Sequence, residues 1–442
     1  MKQCNIFVVG LDDFHLAQLR TLPNAAYYRF HSLFTRSDLK CADEFPVRQL
    51  LKAGTSQLRR FPGSVDAVVG YWDFPVSTVL PILRGVRGLP GPTLEAVLKC
   101  EHKYWSRLEQ SRVVPGNVPT YCAVDPFATD PLADLTVEFP FWIKPVKAVL
   151  SYLGFRVENP AQFHHAIDEI RRGIHRFGDP FNHILGYASL PPGVAAIGGN
   201  HCIVESLICA GRQCTLEGYV YQGAVRVYGV VDSYREGAAS SSFSRYQYPS
   251  ALPADVQARM AEIAGRVMTG IGYDNGPFNM ECYWDEARDH IWLLEINPRI
   301  SKSHAPLFWM VDGRYHHQVM IDLGLGRAPD MPTGKGPHAC AAKFMVRHHE
   351  DACVARVPTL EDIRRIEAEI PGVVIELDVT AGMQLSALRN QDSYTYEVAT
   401  VFLGAESEEA LLSRYQQVLE RLRLEFEPVA QPRHPVARGL PA

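Results

Sequence analysis

The most regular pattern along the chain is an alternation of polar and apolar residues in two short runs between positions 276 and 297. The first run sets Asn279 and Glu281 among large apolar residues, and the second does the same with Glu295 and Asn297. A polar turn, Asp-Glu-Ala-Arg-Asp, separates the two runs. Alternation with a period of two is typical of strands with one buried face, so the segment predicts a β-hairpin. The two glutamates share a register about the turn, which places them on one face, roughly 5–8 Å apart.

The N-terminal part of the chain predicts a parallel α/β lobe. Short apolar runs that end in glycine occur at residues 5–10 and 65–70, and each is the pattern of a buried strand. Strands that alternate with helices indicate a parallel sheet, here over about residues 1–95. The turn Val-Gly-Leu-Asp at 9–12 is not a Gly-x-Gly-x-x-Gly motif, so a nucleotide is not expected in this lobe.

The rest of the chain predicts a mixed arrangement of helices and strands. The middle predicts, in order, a helix over 94–113, an apolar strand over 141–146, a helix over 161–178, a strand-rich stretch over 202–233 and a helix over 254–270. A linker at 330–337 precedes a C-terminal α+β lobe with strands near 340–347, 372–379 and 394–403, a helix over 407–423 and a proline-rich, poorly ordered tail. The fold class is therefore α/β and α+β with several lobes.

Composition narrows the class of protein. With 442 residues, 47% hydrophobic and 21% charged, the chain predicts a soluble globular protein of two to four lobes. A net charge of −5 gives no electrostatic reason to expect nucleic acid or an anionic membrane as a partner. No apolar run approaches the length of about 18 residues that a membrane span requires. Ten scattered cysteines without a Cys-x-x-Cys motif favour reduced thiols and a cytoplasmic location.

The two glutamates of the hairpin place two negative charges close together. Two carboxylates and an amide on one sheet face beside large apolar residues need a counter-charge, because an unpaired buried ion costs several kcal/mol. Magnesium removes that cost, since it prefers oxygen ligands and is commonly held by one or two carboxylates plus substrate phosphates. The alternative is an amphipathic hairpin whose acids face water.

The segment Glu295-Ile296-Asn297-Pro298-Arg299, with an acid one strand earlier, resembles the metal-binding hairpin of the ATP-grasp superfamily. The resemblance implies that Glu281, Glu295 and Asn297 bind Mg²⁺, with Mn²⁺ as a second candidate, and that Arg299 contacts the transferred phosphoryl group. It also implies three lobes: a Rossmann-like preATP-grasp domain at 1–95, an ATP-grasp domain at 96–330 and the C-terminal lobe at 331–442.

Further features stand in the order that this superfamily shows. Lys103 and Lys144 resemble the lysine pair that neutralises the phosphates of ATP. The strand Val-Glu-Ser-Leu-Ile at 204–208 resembles the adenine-binding hinge. On that resemblance Glu205 would bind the exocyclic amine and backbone groups of Ser206 and Ile208 the ring. On the next strand Gln213 stands where a ribose contact is expected. For Glu217 two alternatives stay open: a contact with substrate or metal, or a plain strand position.

Two departures from the family pattern affect the expected chemistry. The loop after Lys144 is usually rich in glycine and serine, but this chain has Val-Lys-Ala-Val-Leu-Ser-Tyr-Leu-Gly, so Lys147 would supply charge instead. The catalytic glutamate of the carboxylase members is replaced by Ser303, which makes carboxylation a poor match. For the neighbouring His304, contact with the acceptor and simple packing stay open.

The resemblance implies an ATP-dependent carboxylate–amine ligase that works through an acyl phosphate, with catalysis by Lys144 and Arg299. Its C-terminal lobe is similar to that of L-amino acid ligases, so small carboxylates and amines, amino acids above all, are the expected substrates, and a homodimer is a further expectation. Two alternatives remain: an ATP-grasp kinase or carbamoyl-phosphate-type synthetase, and a nucleotide-binding regulatory protein without turnover.

Overall fold

A computed structural model describes residues 3–39, 45–133, 135–149, 152–208, 211–236, 242–388, 391 and 395–429. The expected disordered tail falls almost wholly outside the described residues, as does Ser151 in the loop after Lys144. Within the described residues, no helix is both long enough and apolar enough to cross a membrane.

The N-terminal lobe is a three-stranded parallel sheet with flanking helices, as the sequence predicts. Its strands are β1 (Cys4–Leu11), β2 (Tyr28–Thr35) and β3 (Ala67–Val69), in the order β2-β1-β3. Its helices are α1 (Asp13–Leu19), α2 (Arg36–Leu39), α3 (Val47–Arg60) and α4 (Val76–Gly85). β1 and β3 are almost fully buried because helices cover both faces of a parallel sheet.

A four-stranded antiparallel sheet follows, in the order β4-β7-β5-β6. The elements of this region are α5 (Leu94–Glu101), α6 (Lys103–Val113), β4 (Tyr121–Val124), β5 (Phe141–Pro145), β6 (Phe155–Val157), α7 (Pro160–Gly173), α8 (His175–Leu185), α9 (Pro192–Ala195) and β7 (Cys202–Ser206). The prediction of one helix over 94–113 was wrong. His102 adopts an extended conformation there, and its imidazole caps α6 by accepting from the backbone N–H of Trp105.

The predicted helix over 161–178 is likewise two helices, because α7 ends at Gly173 and α8 begins at His175. The helix predicted over 254–270 is confirmed as α10 (Ala254–Gly270), and its apolar face packs on the large sheet in a core that includes Met260, Val267 and Met280.

The largest element is an eight-stranded antiparallel sheet in the order β12-β11-β8-β9-β10-β13-β16-β15. Its first five strands in the chain are β8 (Arg212–Tyr221), β9 (Ala224–Glu236), β10 (Ser242–Tyr248), β11 (Gly276–Asp285) and β12 (His290–Asn297), followed by α11 (Ala305–Asp312) and α12 (His317–Gly324). The C-terminal part supplies β13 (Cys340–His348), β15 (Val373–Leu377) and β16 (Tyr396–Ala405) to the same sheet. β14 (Ala352–Arg356) pairs with β17 (Glu425–Pro428), and α13 (Leu360–Glu369) and α14 (Glu408–Arg421) complete this part.

Candidate active site

The hairpin β11–β12 brings the two predicted carboxylates face to face. Glu281 pairs with Glu295 and Asn279 pairs with Asn297, and a register shift follows directly after Glu281. Asn297 Nδ2 lies 3.2 Å from Asn279 Oδ1 and 3.5 Å from Glu281 Oε1. The predicted hairpin, with both glutamates on one face, is therefore confirmed, and a row of carboxylate and amide oxygens runs across the two strands.

The two carboxylates ionise differently. Burial and the negative charge of Glu295 raise the pKa of Glu281 to about 7. Burial also acts to raise the pKa of Glu295, but the positive charges of Lys103, Lys144 and Lys147 outweigh it and leave that pKa below its usual value. A like-charge pair of this kind is relieved by a cation between the two oxygens, and carboxylate and amide oxygens are the ligands that Mg²⁺ prefers. The donor set thus fits Mg²⁺.

A set of basic side chains faces this row. Lys103 Nζ lies 3.2 Å from Glu295 Oε1 and also donates to the carbonyl of Ala148 at 3.0 Å. Lys144 Nζ lies 2.7 Å from Glu205 Oε2. The two predicted lysines therefore reach the same site from α6 and β5, and a small cavity between them is bounded by Glu205 and Glu295. Two ammonium groups at one cavity supply the positive charge that a polyphosphate chain requires.

Glu205 is paired with two cations. Arg107 Nε lies 2.5 Å from Glu205 Oε1, whereas Lys144 contacts the other carboxylate oxygen. Burial alone would raise the pKa of Glu205, but Arg107 and Lys144 lower it to about 2. The Arg107 guanidinium also donates to the carbonyls of Leu293 and Leu294 at 2.9 and 2.8 Å, so it ties the small sheet to the hairpin. Sequence reasoning missed Arg107, although it lies one helical turn after Lys103 on α6, a spacing that puts both on one face.

A second ionic cluster joins the N-terminal lobe to the hairpin. Arg299 Nη2 donates to Asp73 Oδ2 at 2.7 Å, and Lys147 Nζ lies 3.9 Å from Asp73 Oδ1. Lys147 also bonds Glu101, and its side chain is only 1% exposed. Burial lowers the pKa of Lys147, but Glu101 and Asp73 outweigh this effect and raise it. Lys147 is thus paired with Asp73 and Glu101, two residues that were not predicted, and its contribution of charge to phosphate binding stays a prediction.

Gln213 and Glu217 lie beside the hairpin on β8, which pairs with β11. Gln213 Nε2 donates to Glu281 Oε2 at 3.1 Å, while its Oε1 accepts from Arg235 and Tyr283. Glu217 is fully buried, and its Oε1 accepts from Asn279 Nδ2 at 2.7 Å. In this structure Gln213 therefore contacts a carboxylate of the hairpin, and Glu217 is enclosed by protein groups.

The predicted hinge lies at the end of β7. The backbone N–H of Ser206 donates to the carbonyl of Thr120 at 2.8 Å, and its hydroxyl accepts from the Thr120 N–H at 3.1 Å. The Ser206 N–H is thus committed to the protein, so a ring contact at this residue would have to use another of its groups. Ile208 follows two residues past the end of β7 and is half-buried.

The match to a protein family is consistent with the site described above. Residues 137–305 match the model of the ATP-grasp domain. No curated protein matches the chain by sequence.

Solved structures share the fold across the chain. The L-amino acid ligase from Bacillus licheniformis superimposes with a TM-score of 0.70 at 14% identity, covering 97% of this chain and all of the ligase. Phosphoribosylglycinamide synthetase from Anaerococcus prevotii gives a TM-score of 0.63 at 13% identity, covering 96% of this chain and all of the synthetase. Biotin carboxylase from Campylobacter jejuni, solved with an ATP analogue, gives 0.63 at 15% identity over 96% of this chain and 92% of the carboxylase. The chain therefore carries an ATP-grasp domain, set within the multi-lobed fold that these structures share.

Proposed function

We propose that the protein is an ATP-dependent carboxylate–amine ligase. A substrate carboxylate would attack the γ-phosphorus of ATP, giving an acyl phosphate and ADP, and an amine would then displace phosphate to form an amide. The observation that carries the proposal is the pair Glu281–Glu295, opposed directly across β11 and β12 with Lys103 at 3.2 Å and Asn297 alongside. Such a site suits Mg²⁺ and a polyphosphate together.

Each side chain has a distinct task in this proposal. Glu281, Glu295 and Asn297 would hold Mg²⁺, which supplies charge neutralisation on the phosphates when it is bound. Lys103 and Lys144 would turn from Glu295 and Glu205 toward phosphate oxygens, an exchange of one anion for another that keeps both cations paired. Glu205, Ser206, Ile208 and Gln213 remain the candidates for contact with the nucleoside.

Arg299 would bind the phosphoryl group as it passes to the carboxylate. Its planar fork matches a phosphate better than an ammonium group does. Burial lowers the pKa of Arg299, but Asp73 outweighs this effect and raises it, so the guanidinium stays charged inside the site. Stabilisation of a charge that grows during transfer acts on the transition state rather than on binding.

The site favours an amine as the second substrate. The residue that would serve as base in a carboxylase is Ser303, whose hydroxyl cannot deprotonate bicarbonate at neutral pH. Fold similarity to an L-amino acid ligase makes amino acids the first substrates to test. We further propose lobes at residues 1–95, 96–330 and 331–442, a homodimer and a cytoplasmic location.

A screen of ADP release tests the proposal. Amino acids and related acids are supplied singly and in pairs with amines, with Mg²⁺ and ATP, and products are identified by mass spectrometry. A ligase releases ADP and forms an amide only when acid and amine are both present. Stoichiometric ADP release with the acid alone and a stable acyl phosphate would indicate a kinase. Nucleotide binding without ADP release under any pair would contradict turnover and leave a nucleotide-binding protein.

A further inference from the structure

A buried carboxylate–imidazole pair joins β8, which pairs with the hairpin, to the turn just before α11. Glu217 Oε1 is 2.8 Å from His304 Nδ1, and neither side chain is more than 3% exposed. Glu217 is enclosed further by the N–H of Ser301 at 3.4 Å and by Asn279 Nδ2. Burial acts to raise the pKa of Glu217, but its hydrogen bonds and the neighbouring histidines outweigh this and lower it, so the group stays ionised.

The ionised carboxylate fixes the protonation pattern of His304. A carboxylate only accepts hydrogen bonds, so Nδ1 of His304 carries a hydrogen, and in the neutral ring Nε2 is the nitrogen with the lone pair. Nε2 makes no hydrogen bond within the described part of the chain. Both nitrogens of His317 are completely buried and have no hydrogen-bond partner among the described residues. His304 Nε2 is not completely buried in this way. Nε2 therefore keeps a small accessible surface although the side chain as a whole is 3% exposed.

His304 stands on the same face as the proposed metal site. Glu217 pairs with Asn279 across β8 and β11, and Asn279 pairs with Asn297 across the hairpin. The ring of Tyr246 on β10 lies edge-on to His304 at 5.1 Å. Burial and the charge of Glu281 raise the pKa of Tyr246, so its hydroxyl stays protonated at neutral pH. His304 is thus beside the row but not part of it.

The other charged groups around His304 are already engaged. His316, which precedes α12, lies on the far side of Glu217 with Nδ1 at 3.8 Å from Oε2, and its Nε2 bonds the carbonyl of Ser301. Burial lowers the pKa of His316 to about 4, so it is neutral near pH 7. Lys302, in the turn just before His304, lies over the ring of Trp72 at 4.7 Å.

We propose that His304 is the general base that deprotonates the attacking amine and that Glu217 is its positioning residue, an inference that rests on the ligase function proposed above. The protonated amine first gives one proton to His304 Nε2, and the lone pair that is freed forms the C–N bond with the acyl carbon. The C–O bond to the phosphate breaks, and its electron pair leaves with the phosphate, which takes the second N–H proton and departs as HPO₄²⁻. Glu217 stabilises the imidazolium that results. The proton later returns to solvent, so atoms and charges balance over one turnover.

A comparison of two nucleophiles separates the role of His304 as a base from the formation of the acyl phosphate. An alkyl amine is protonated at neutral pH and needs a base, whereas hydroxylamine is a much weaker base and attacks acyl phosphates as the neutral molecule. We expect His304→Gln to lower amide formation by roughly 10²–10⁴-fold, the usual contribution of a general base. Hydroxamate formation from the same acid, ATP and hydroxylamine should change by less than tenfold. Imidazole added to His304→Ala should restore part of the amide formation.

Glu217→Gln and a matched variant test the positioning role. Glutamine keeps the shape and can still accept from Nδ1, but it removes the charge that stabilises the imidazolium. We expect kcat for amide formation to fall. The KM for the amine and the rate of hydroxamate formation should change little. His316→Gln alters an equally buried imidazole beside Glu217, and the ratio of amide to hydroxamate should stay at the wild-type value.

The outcomes are distinguishable. If wild-type protein forms amide and His304→Gln keeps the wild-type ratio of amide to hydroxamate, His304 is not the base although the ligase function stands. If His304→Gln loses both products equally, its role is in folding or in acyl-phosphate formation, and the inference fails. If wild-type protein forms neither product with any acid, the proposed function itself fails. Circular dichroism of each full-length variant shows whether it is folded.

Discussion

Asp73, in the loop after β3, holds the guanidinium of Arg299 at 2.7 Å, although 226 positions separate the two residues in the chain. Within its own lobe, Asp73 Oδ1 also accepts from the backbone N–H of Phe74 at 2.8 Å. Burial acts to raise the pKa of Asp73, but Arg299 and Lys147 outweigh it and keep the carboxylate ionised. The N-terminal lobe thereby sets the orientation of a side chain that the proposed chemistry uses.

Asp73→Asn tests that orientation. The amide keeps the shape but loses the charge that holds the guanidinium, so Arg299 is free to swing away from the phosphoryl group. We expect kcat to fall about 100-fold, the order of loss that a small misplacement of a catalytic group causes, while ATP affinity changes little. Asp66→Asn, which alters another N-terminal carboxylate bonded to a backbone N–H, is the matched control and should keep its activity. Weakened ATP binding with unchanged kcat would place Asp73 in ground-state recognition.

Glu295→Gln tests the metal site. Because the substitution keeps the shape and removes only the charge, we expect folding to be retained and Mg²⁺-dependent ATP turnover to be abolished. The measurement is ADP release at saturating ATP over a range of Mg²⁺ concentrations. Glu109→Gln, at a buried glutamate bonded to Trp105 and Arg112, serves as the control. Near-normal activity in Glu295→Gln would mean that the hairpin is not the metal site.

Mg²⁺ affinity should depend on pH through Glu281. Its pKa of about 7 means that the metal must displace a proton below that pH, so the dissociation constant should weaken about tenfold per pH unit from pH 7 to pH 5. Above pH 7 the dependence should flatten, and Glu281→Gln should remove it. Calorimetric titration with Mg²⁺ at several pH values is the measurement, and a flat profile in the wild-type protein would refute the assignment.

The same pKa has a consequence for stability when no metal is bound. Because the folded-state pKa of Glu281 is above the unfolded value of 4.5, the folded protein binds the extra proton. Its contribution to stability is complete below pH 4.5 and is lost as the pH rises through about 7. In EDTA, Glu281 should therefore make Tm fall between about pH 4.5 and pH 7, with no further fall from this group at higher pH, and Mg²⁺ should reverse that fall. Equal slopes in EDTA and Mg²⁺ would contradict this.

Lys144→Ala tests phosphate binding. Loss of a charged hydrogen bond should weaken ATP binding by roughly 1.5–3 kcal/mol, or about 10–150-fold. Lys343→Ala is a well-matched control, because Lys343 also lies on a strand, is similarly buried and pairs with a glutamate at 3.1 Å. If calorimetry gives both variants the wild-type ATP affinity, Lys144 has only a structural role as the partner of Glu205.

Lys147→Met tests the unusual loop. Its ammonium is the partner of Glu101, so methionine leaves a buried carboxylate without a counter-charge. We expect the free energy of unfolding to fall by about 3–5 kcal/mol in urea denaturation. Arg156→Met removes one partner of an exposed ion pair and should cost at most about 1 kcal/mol. Similar losses in the two variants would show that the Lys147–Glu101 pair adds nothing to stability.

The hairpin was predictable because strand alternation and a polar turn are local patterns in the sequence. These patterns are sufficient to predict the hairpin, but the direct pairing of Glu281 with Glu295 also depends on the register shift after Glu281. The break at His102 was missed because it depends on a side-chain cap and on a hydrogen bond to the distant carbonyl of Ile197. Asp73 and Arg107 were missed for the same reason: their partners, Arg299 and Glu205, are distant in the chain, and no local pattern identifies such pairs.

The order of strands in the large sheet also affects folding during synthesis on the ribosome. β10 pairs with β13 in the finished sheet, but the α10 helix, the hairpin and two more helices are synthesised between them. Until β13 leaves the ribosome, β10 is an open edge with unpaired backbone groups, which is a template for pairing with another nascent chain. Ribosome-bound chains that stop before Cys340 should therefore recruit chaperones, and chains that extend beyond Ala405 should not.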